Sequence, residues 1–352
     1  MHVNRQNVAG ENVTSSDHQR CKLVKATIKD VAREAGVSIS TVSYAINNKD
    51  RISSETRKHV LHVAKRLNYV ANGNAKLLKQ KHTRAIGIFF NSWFGPIYSE
   101  IARGIEKAVH QAGYDLVACS LYGEENSTAY KYLRDRMVDG AIILADSFDD
   151  DFLKSTASKD LPLVVLDREV ESPHIFSVLI DNFGGAFNAT KALVQSGCKD
   201  VYFLGGPKGS YDSQKRLEGY IAALGFCGAT INNNHILECD FTEEGAYQKM
   251  KVLFNKGTVP NAIFSANDEM ALGIYRAARE NNLKIPENIK VIGFDDIREA
   301  EFAAPPLTTV SHQKYEMGIN AAEILFEAIK SPAKDLNKLR IQATRLIERE
   351  SV

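Results

Sequence analysis

The 352-residue chain predicts an α/β protein in two unlike parts: an N-terminal head of three short helices followed by a hinge helix, and a body of two doubly wound parallel-sheet subdomains. Three observations lead there. Amphipathic helical segments crowd residues 27–67, strand-like apolar runs alternate with helices from Ala85 onward, and the two regions carry opposite charge.

The head begins with TIKDVAREAGVSISTVSYAINN, Thr27 to Asn48. Thr27 stands as an N-cap with Asp30 in capping-box position, and Ile28, Val31, Ala32 and Ala35 fall on one helical face. Gly36 ends that helix, Val37 fills the corner, and Ser38 caps a second helix whose buried stripe is Val42, Ala45 and Ile46. The opposite face of the second helix, Ile39, Ser40, Thr41, Ser43, Tyr44 and Asn47, is small or polar and has no core to enter. A helix-turn-helix presents such a face to the major groove of DNA. A plain helical hairpin would share the pattern, and charge separates the two readings. From Lys25 to Arg84 the chain carries +9, whereas from Ala85 to the end it carries −9, within a total of +1. A basic head on an acidic body implies a polyanionic partner for the head alone. Ser53 or Ser54 caps a third helix running to about Leu67, with Val60, Val63, Ala64 and Leu67 closing a three-helix core. Ala75 to Lys79 could add a hinge helix of a turn or two, which needs a partner to form because so short a helix is marginal in water.

The body's runs AIGIFF, YDLVACSL, GAIILA, PLVVLD, SVLID, DVYFLGG, AIFSA and KVIGFDD are separated by amphipathic segments, among them 98–112, 183–196, 216–224, 243–255 and 269–281. Continuous apolar strands between helices imply parallel sheets covered on both faces, and their number exceeds one core, so two subdomains are expected. Ligands in such folds bind beyond the carboxyl ends of the strands. Just past those ends come NSWFGPIY (Asn91 to Tyr98), Asp167 and Arg168, a Gly-rich loop leading to Arg216, Phe241, Asn267 and Asp268, and Asp295 and Asp296. Charged groups and amides grip hydroxyls while aromatic rings cover apolar faces, which suits a small polar or polyhydroxylated ligand.

The head motif, the link LNYVANGNAKLLKQKHTRAIGI, and then SANDEMALG, VIGFDD and PPLTTV stand in an order and spacing that resemble the lactose and galactose repressor (LacI/GalR) family of bacterial transcription regulators, from about Thr27 to the C-terminus. The resemblance implies a homodimer whose heads read a roughly palindromic operator in double-stranded DNA, and a periplasmic-binding-protein-like core that closes on a sugar-like effector. It places base reading on Ile39, Ser40 and Tyr44, within a DNA-binding set of Thr27, Ser38, Ile39, Ser40, Thr41, Ser43, Tyr44 and Asn47, and a minor-groove wedge on Leu78 beside Ala75 and Lys79. Effector positions fall on Asp167, Arg168, Arg216, Phe241, Asn267 and Asp295, and further on Ile97, Tyr98, Asp212 and Asp268. Tyr44 stands where many relatives have Arg or His, and it lacks the bidentate contact of Arg to guanine. The hinge departs too, with Ala71 and Asn72 in place of Pro-Asn and with Gly73 and Asn74 as poor helix formers, so it is expected to be disordered off DNA. The family's long tetramerisation helix is absent after RLIERESV, leaving a dimer as the expectation.

The resulting domain plan is an arm over 1–25, a helix-turn-helix domain over 26–70, a hinge over 71–84 and a core over 85–352. Within the core, one subdomain takes about 85–182 and 312–341, the other about 183–311 and 342–352. Five cysteines, Cys21, Cys119, Cys198, Cys227 and Cys239, lack ligand spacing and look like free thiols of a reducing cytoplasm. No stretch is long and apolar enough for a membrane span, and the first 25 residues have no secretory apolar core. A periplasmic sugar-binding protein would share the core but not the basic head. A dinucleotide-dependent enzyme would need GxGxxG after the first strand of the body, where NSWFGPIY stands. No cofactor, metal site or catalytic constellation is expected.

Overall fold

The structure, a computed structural model, describes residues 26–47, 51–69, 82–91, 95–121, 127–145, 147–166, 168–331 and 337–352. The expected arm, the hinge positions Ala75, Leu78 and Lys79, and Asp167 lie outside these residues. The chain divides into two units, 1–80 and 81–352.

In the first unit, α1 (Ile28–Glu34), α2 (Ile39–Ile46) and α3 (Ser54–Arg66) enclose Val31, Ala32, Ala35, Val42, Ala45, Val60, Val63 and Ala64. Each helix starts where its sequence supplies a cap. The Thr27 hydroxyl and the Asp30 carboxylate form a reciprocal capping box, and Ser38 and Ser53 accept from the amides of Thr41 and Thr56. α1 stops at Glu34, one residue before its C-cap Ala35, and Gly36 supplies the left-handed φ of +64° that turns the chain into α2.

The second unit holds two six-stranded sheets. The first contains β1 (Ala85–Phe90), β2 (Asp115–Ser120), β3 (Gly140–Leu144), β4 (Leu163–Val165), β5 (Ile175–Ile180) and β11 (Leu339–Gln342), in the order β11-β5-β4-β3-β1-β2. Its helices are α4 (Pro96–Gln111), α5 (Thr128–Arg134), α6 (Asp150–Thr156) and α12 (Lys314–Lys330). Ile86, Ile88 and Phe90 enter the core on the face of α4 and α12, while Phe89 enters the core on the other face. A strand with both faces buried must read as a continuous apolar run, as AIGIFF does.

The second sheet repeats the plan with β6 (Val201–Gly205), β7 (Ile236–Glu238), β8 (Ala262–Ser265), β9 (Lys290–Asp295), β10 (Thr308–Ser311) and β12 (Arg345–Ile347), in the order β12-β10-β9-β8-β6-β7. Around it lie α7 (Asn182–Gln195), α8 (Tyr211–Phe226), α9 (Glu243–Asn255), α10 (Asp268–Glu280) and the short α11 (Arg298–Phe302). Helices pair closely through glycines. A Cβ on Gly318 of α12 would meet the Ile101 carbonyl of α4 at 2.2 Å, and one on Gly273 of α10 would meet the Glu243 carbonyl of α9 at 2.2 Å.

Both sheets are parallel as expected except at one edge, where β12 runs antiparallel to β10. The reason is where the chain crosses between sheets. Its crossings lie between β5 and α7, between β10 and α12, and between β11 and β12. Arriving from the carboxyl end of β11, the chain enters the second sheet opposite Ser311, the last residue of β10, and can only run back. The α8 helix, expected over 216–224, begins earlier at Tyr211 because Ser210 caps it by accepting from the Ser213 amide.

Candidate functional site

Each sheet changes direction of winding beside its central strand, between β1 and β3 and between β6 and β8. The loops at these points lie beyond the carboxyl ends of the strands, where an open α/β sheet binds its ligand. Of the residues expected from sequence, Asp212, Arg216 and Asp295 come together there on the second subdomain.

Arg216 is the centre of the second subdomain's wall. It is buried on α8, its guanidinium carbon lies 3.8 Å from the centroid of the Phe294 ring, and its Nε donates to Asn182 Oδ1 at 2.8 Å. One Nη donates to the Ala266 carbonyl. The other stands 3.6 Å from Asp295 Oδ1 and 3.9 Å from Asp212 Oδ2, near enough for attraction yet longer than a direct hydrogen bond. Asp212 is itself held by the Asn182 amide at 2.7 Å. Burial pushes the Asp212 carboxyl above its ordinary range, and Arg216 opposes that shift.

Asp295 and Asp296 both take positive φ, 106° and 52°. A non-glycine residue there is costly unless its surroundings hold it. Lys314, at the start of α12, supplies that hold by donating to the carbonyls of both residues, and Arg349 pairs with the Asp296 carboxylate at 2.7 Å. Phe241 also has positive φ, 65°, and Asn267 Nδ2 donates to its carbonyl at 2.9 Å. The Phe241 ring lies so close to Gly206 that a Cβ there would fall 2.2 Å from it.

Two of the expected residues also hold groups of the protein itself. Asn267 also caps α10, accepting from the Met270 amide, so its side chain positions Phe241. Asp268 is fully buried, and its oxygens accept from the Thr309 hydroxyl at 2.6 Å and the Ile297 amide at 2.9 Å. Burial pushes Asp268 well above the usual carboxylate range, with the nearby Asp295 charge acting in the same direction. The spacing of SANDEMALG could not show this, because the partners come from β10 and the β9 to α11 turn.

On the first subdomain, Tyr98 rests on Phe90 with ring centroids 5.4 Å apart, and Ile97 packs against the cores of both subdomains. Arg168 is drawn to its own subdomain, pairing with Asp150 at 2.9 Å and donating to the Phe148 carbonyl. Across the cleft, a Cβ on Gly95 would lie 3.8 Å from Glu269 Oε2, so the starts of α4 and α10 face one another. Burial raises the Glu269 carboxyl. Asn182, Glu269, Phe294, His312 and Lys314 were not among the residues expected from sequence; each matters through a partner distant in the chain.

In the head, Ser38, Ile39, Ser40 and Asn47 are exposed, Thr41, Ser43 and Tyr44 half-buried, and Thr27 exposed at its cap. Ile39 keeps 46% of its surface exposed, which leaves an apolar side chain at the start of α2 without a core. The Asn47 amide donates back to the Ser43 carbonyl, and Arg51 lies over the Tyr44 ring at 5.7 Å. The Arg66 and Glu34 pair at 2.5 Å ties α3 to α1.

Among the described residues no group of His, Cys, Asp and Glu could hold a metal ion. The Cys239 thiol is pushed up to about 11 by burial, and Cys119 is raised for the same reason, so neither resembles an activated nucleophile. No helix among the described residues is long and apolar enough to cross a membrane.

Comparison with known proteins agrees with this geometry. Residues 27–72 match the family model described as bacterial regulatory proteins, lacI family, and residues 83–350 match that of periplasmic binding proteins and sugar binding domain of LacI family. The HTH-type transcriptional repressor PurR of Pasteurella multocida (strain Pm70) is 34% identical over 330 residues, covering 93% of this chain and 98% of the relative. Among solved structures, the transcriptional regulator CelR-cellobiose complex matches with a TM-score of 0.71 and 29% identity, over 93% of this chain and 100% of that one. The lac repressor dimer bound to operator and the anti-inducer ONPF matches with a TM-score of 0.69 and 28% identity, over 93% and 98% of the two chains. With head and core matched in order, the chain belongs to the LacI family, as a DNA-binding transcriptional repressor with an effector-binding core and not an enzyme.

Proposed function

We propose that this repressor binds a roughly palindromic operator as a homodimer, reading bases with Ile39, Ser40 and Tyr44, and that a small polyhydroxylated effector enters the cleft between the core subdomains. The observation that carries the effector reading is Arg216: a buried guanidinium, stacked on Phe294, with Asp212 and Asp295 beside it at more than hydrogen-bond distance. A ligand hydroxyl between such a cation and such carboxylates donates to one and accepts from the other, while Phe241 and Tyr98 cover its apolar faces. A sugar or sugar derivative meets that description. Effector binding shifts the balance between arrangements of the two subdomains, and with it the competence of the paired heads for DNA.

A thermal-shift screen of sugars, sugar phosphates, nucleosides and purines tests the cleft. A ligand that raises the melting temperature of the native chain but not of Arg216→Ala supports the reading; equal stabilisation of both places the effector elsewhere.

A further inference from the structure

Three polar atoms of two neighbouring side chains are buried without a hydrogen-bond partner among the described residues: Asp295 Oδ1, His312 Nδ1 and His312 Nε2. Both side chains are 2% exposed, and Nε2 stands 3.5 Å from Oδ1. A buried polar group left unpaired costs folding free energy, so two adjacent ones call for a purpose. His312 lies on the crossing between β10 and α12, one of the places where the chain passes from one subdomain to the other. Asp295 stands beside Arg216 at the cleft wall.

The charged and titratable groups gathered around the pair are Asp212 and Arg216 from α8, Asp268 and Glu269 from α10, Asp296 just past β9, Lys314 from α12, and Arg349, which neutralises Asp296. Arg216 and Lys314 each already hold other acceptors, Asn182 and two backbone carbonyls respectively. The imidazole Nε2 stands 3.5 Å from Asp295 Oδ1.

We propose that His312 is a proton-dependent competitor for the effector. Neutral, its ring leaves Asp295 Oδ1 to accept a hydrogen bond from a ligand hydroxyl or N–H. Protonated, it takes that oxygen in a charge-assisted hydrogen bond and lowers ligand affinity. The proposal rests on the cleft being the effector site. By linkage, ligand binding to the protonated form releases a proton from His312, and binding to the neutral form does not.

The test uses the full chain and four probes: ribose, cellobiose, adenosine and hypoxanthine. The probe that stabilises the native chain but not Arg216→Ala is titrated calorimetrically at pH 5.5 and 8.0, in buffers of different ionisation enthalpy. Native affinity should be severalfold lower at pH 5.5 than at pH 8.0, with proton release on binding. His312→Gln should bind equally at both values and release none. A flat native profile, or a slope retained in His312→Gln, overturns the proposal. If no probe binds, or Arg216→Ala binds as well as the native chain, the cleft reading fails separately, and ligand-free NMR decides the pair. The imidazole signal missing in His312→Gln should titrate, with a midpoint displaced in Asp295→Asn; a signal that does not titrate, or does so identically in both, overturns the competition.

Discussion

The guanidinium carbon of Arg216 lies 3.8 Å from the centroid of the Phe294 ring, so the cation is fixed from below by an aromatic face and from the sides by Asn182 and the Ala266 carbonyl. Replacing Arg216 by Ala leaves Asp295 buried beside no cation from α8. A loss of about 3–5 kcal/mol is expected, as for other buried pairs broken on one side, together with loss of the ligand-induced thermal shift. Urea unfolding measures the first and the thermal-shift screen the second. A variant of native stability would mean that the contact contributes little.

Asp268 gives a prediction with a definite sign. Its folded-state carboxyl is raised above the ordinary 3.8, so between the unfolded and folded values the native state binds more protons than the unfolded state. The contribution to stability is complete at the acidic end and declines as pH rises above about 4. Asp268→Asn removes that titration, so the difference in unfolding free energy between native and variant should narrow from pH 5 to pH 8. Urea denaturation at the two pH values reads it, and a widening difference would reverse the sign.

Gly318 sits where α12 touches the backbone of α4, at 2.2 Å from an added Cβ to the Ile101 carbonyl. Gly318→Ala must push the two helices apart, with an expected loss of about 1–3 kcal/mol. Gly225, near the end of α8, has nothing within 4 Å, and Gly225→Ala should be neutral or gain up to about 1 kcal/mol. Thermal unfolding of both variants separates packing from helix propensity.

Tyr44 lies half-buried on α2, under Arg51. Tyr44→Ala should weaken binding to the operator by about 1 kcal/mol, the low end for a base contact because Tyr cannot bond bidentately, while leaving non-specific DNA affinity nearly unchanged. Fluorescence anisotropy at one fixed salt concentration, with operator and with random duplex, checks it. An equal loss on both duplexes would assign Tyr44 to backbone contact.

Much of this protein is legible in the chain alone. The caps Thr27, Ser38 and Ser53 announce the head's helices, and the buried stripe Val31, Ala32, Val42, Ala45, Val60 and Val63 is the one that closes its core. The runs AIGIFF and KVIGFD become strands of two repeated sheets because a strand covered on both faces has to be apolar throughout. Asp295 stands out because it closes such a run, and Arg216 because it lies past the Gly-rich loop after another. All of these signals are local, since capping and periodicity act over a few residues.

Tertiary structure decided the rest. It made Asp268 a clasp for Thr309 and Ile297, 41 and 29 residues away, and turned Asn267 toward the Phe241 carbonyl, 26 residues away. It reversed β12, because that strand enters its sheet from the carboxyl end of β11. It also brought His312 to 3.5 Å from Asp295. Helices, strands and polar strand ends are written locally in the chain; which of those polar groups spend their hydrogen bonds on the protein and which keep unfilled capacity depends on neighbours supplied by strands and helices far apart in the chain.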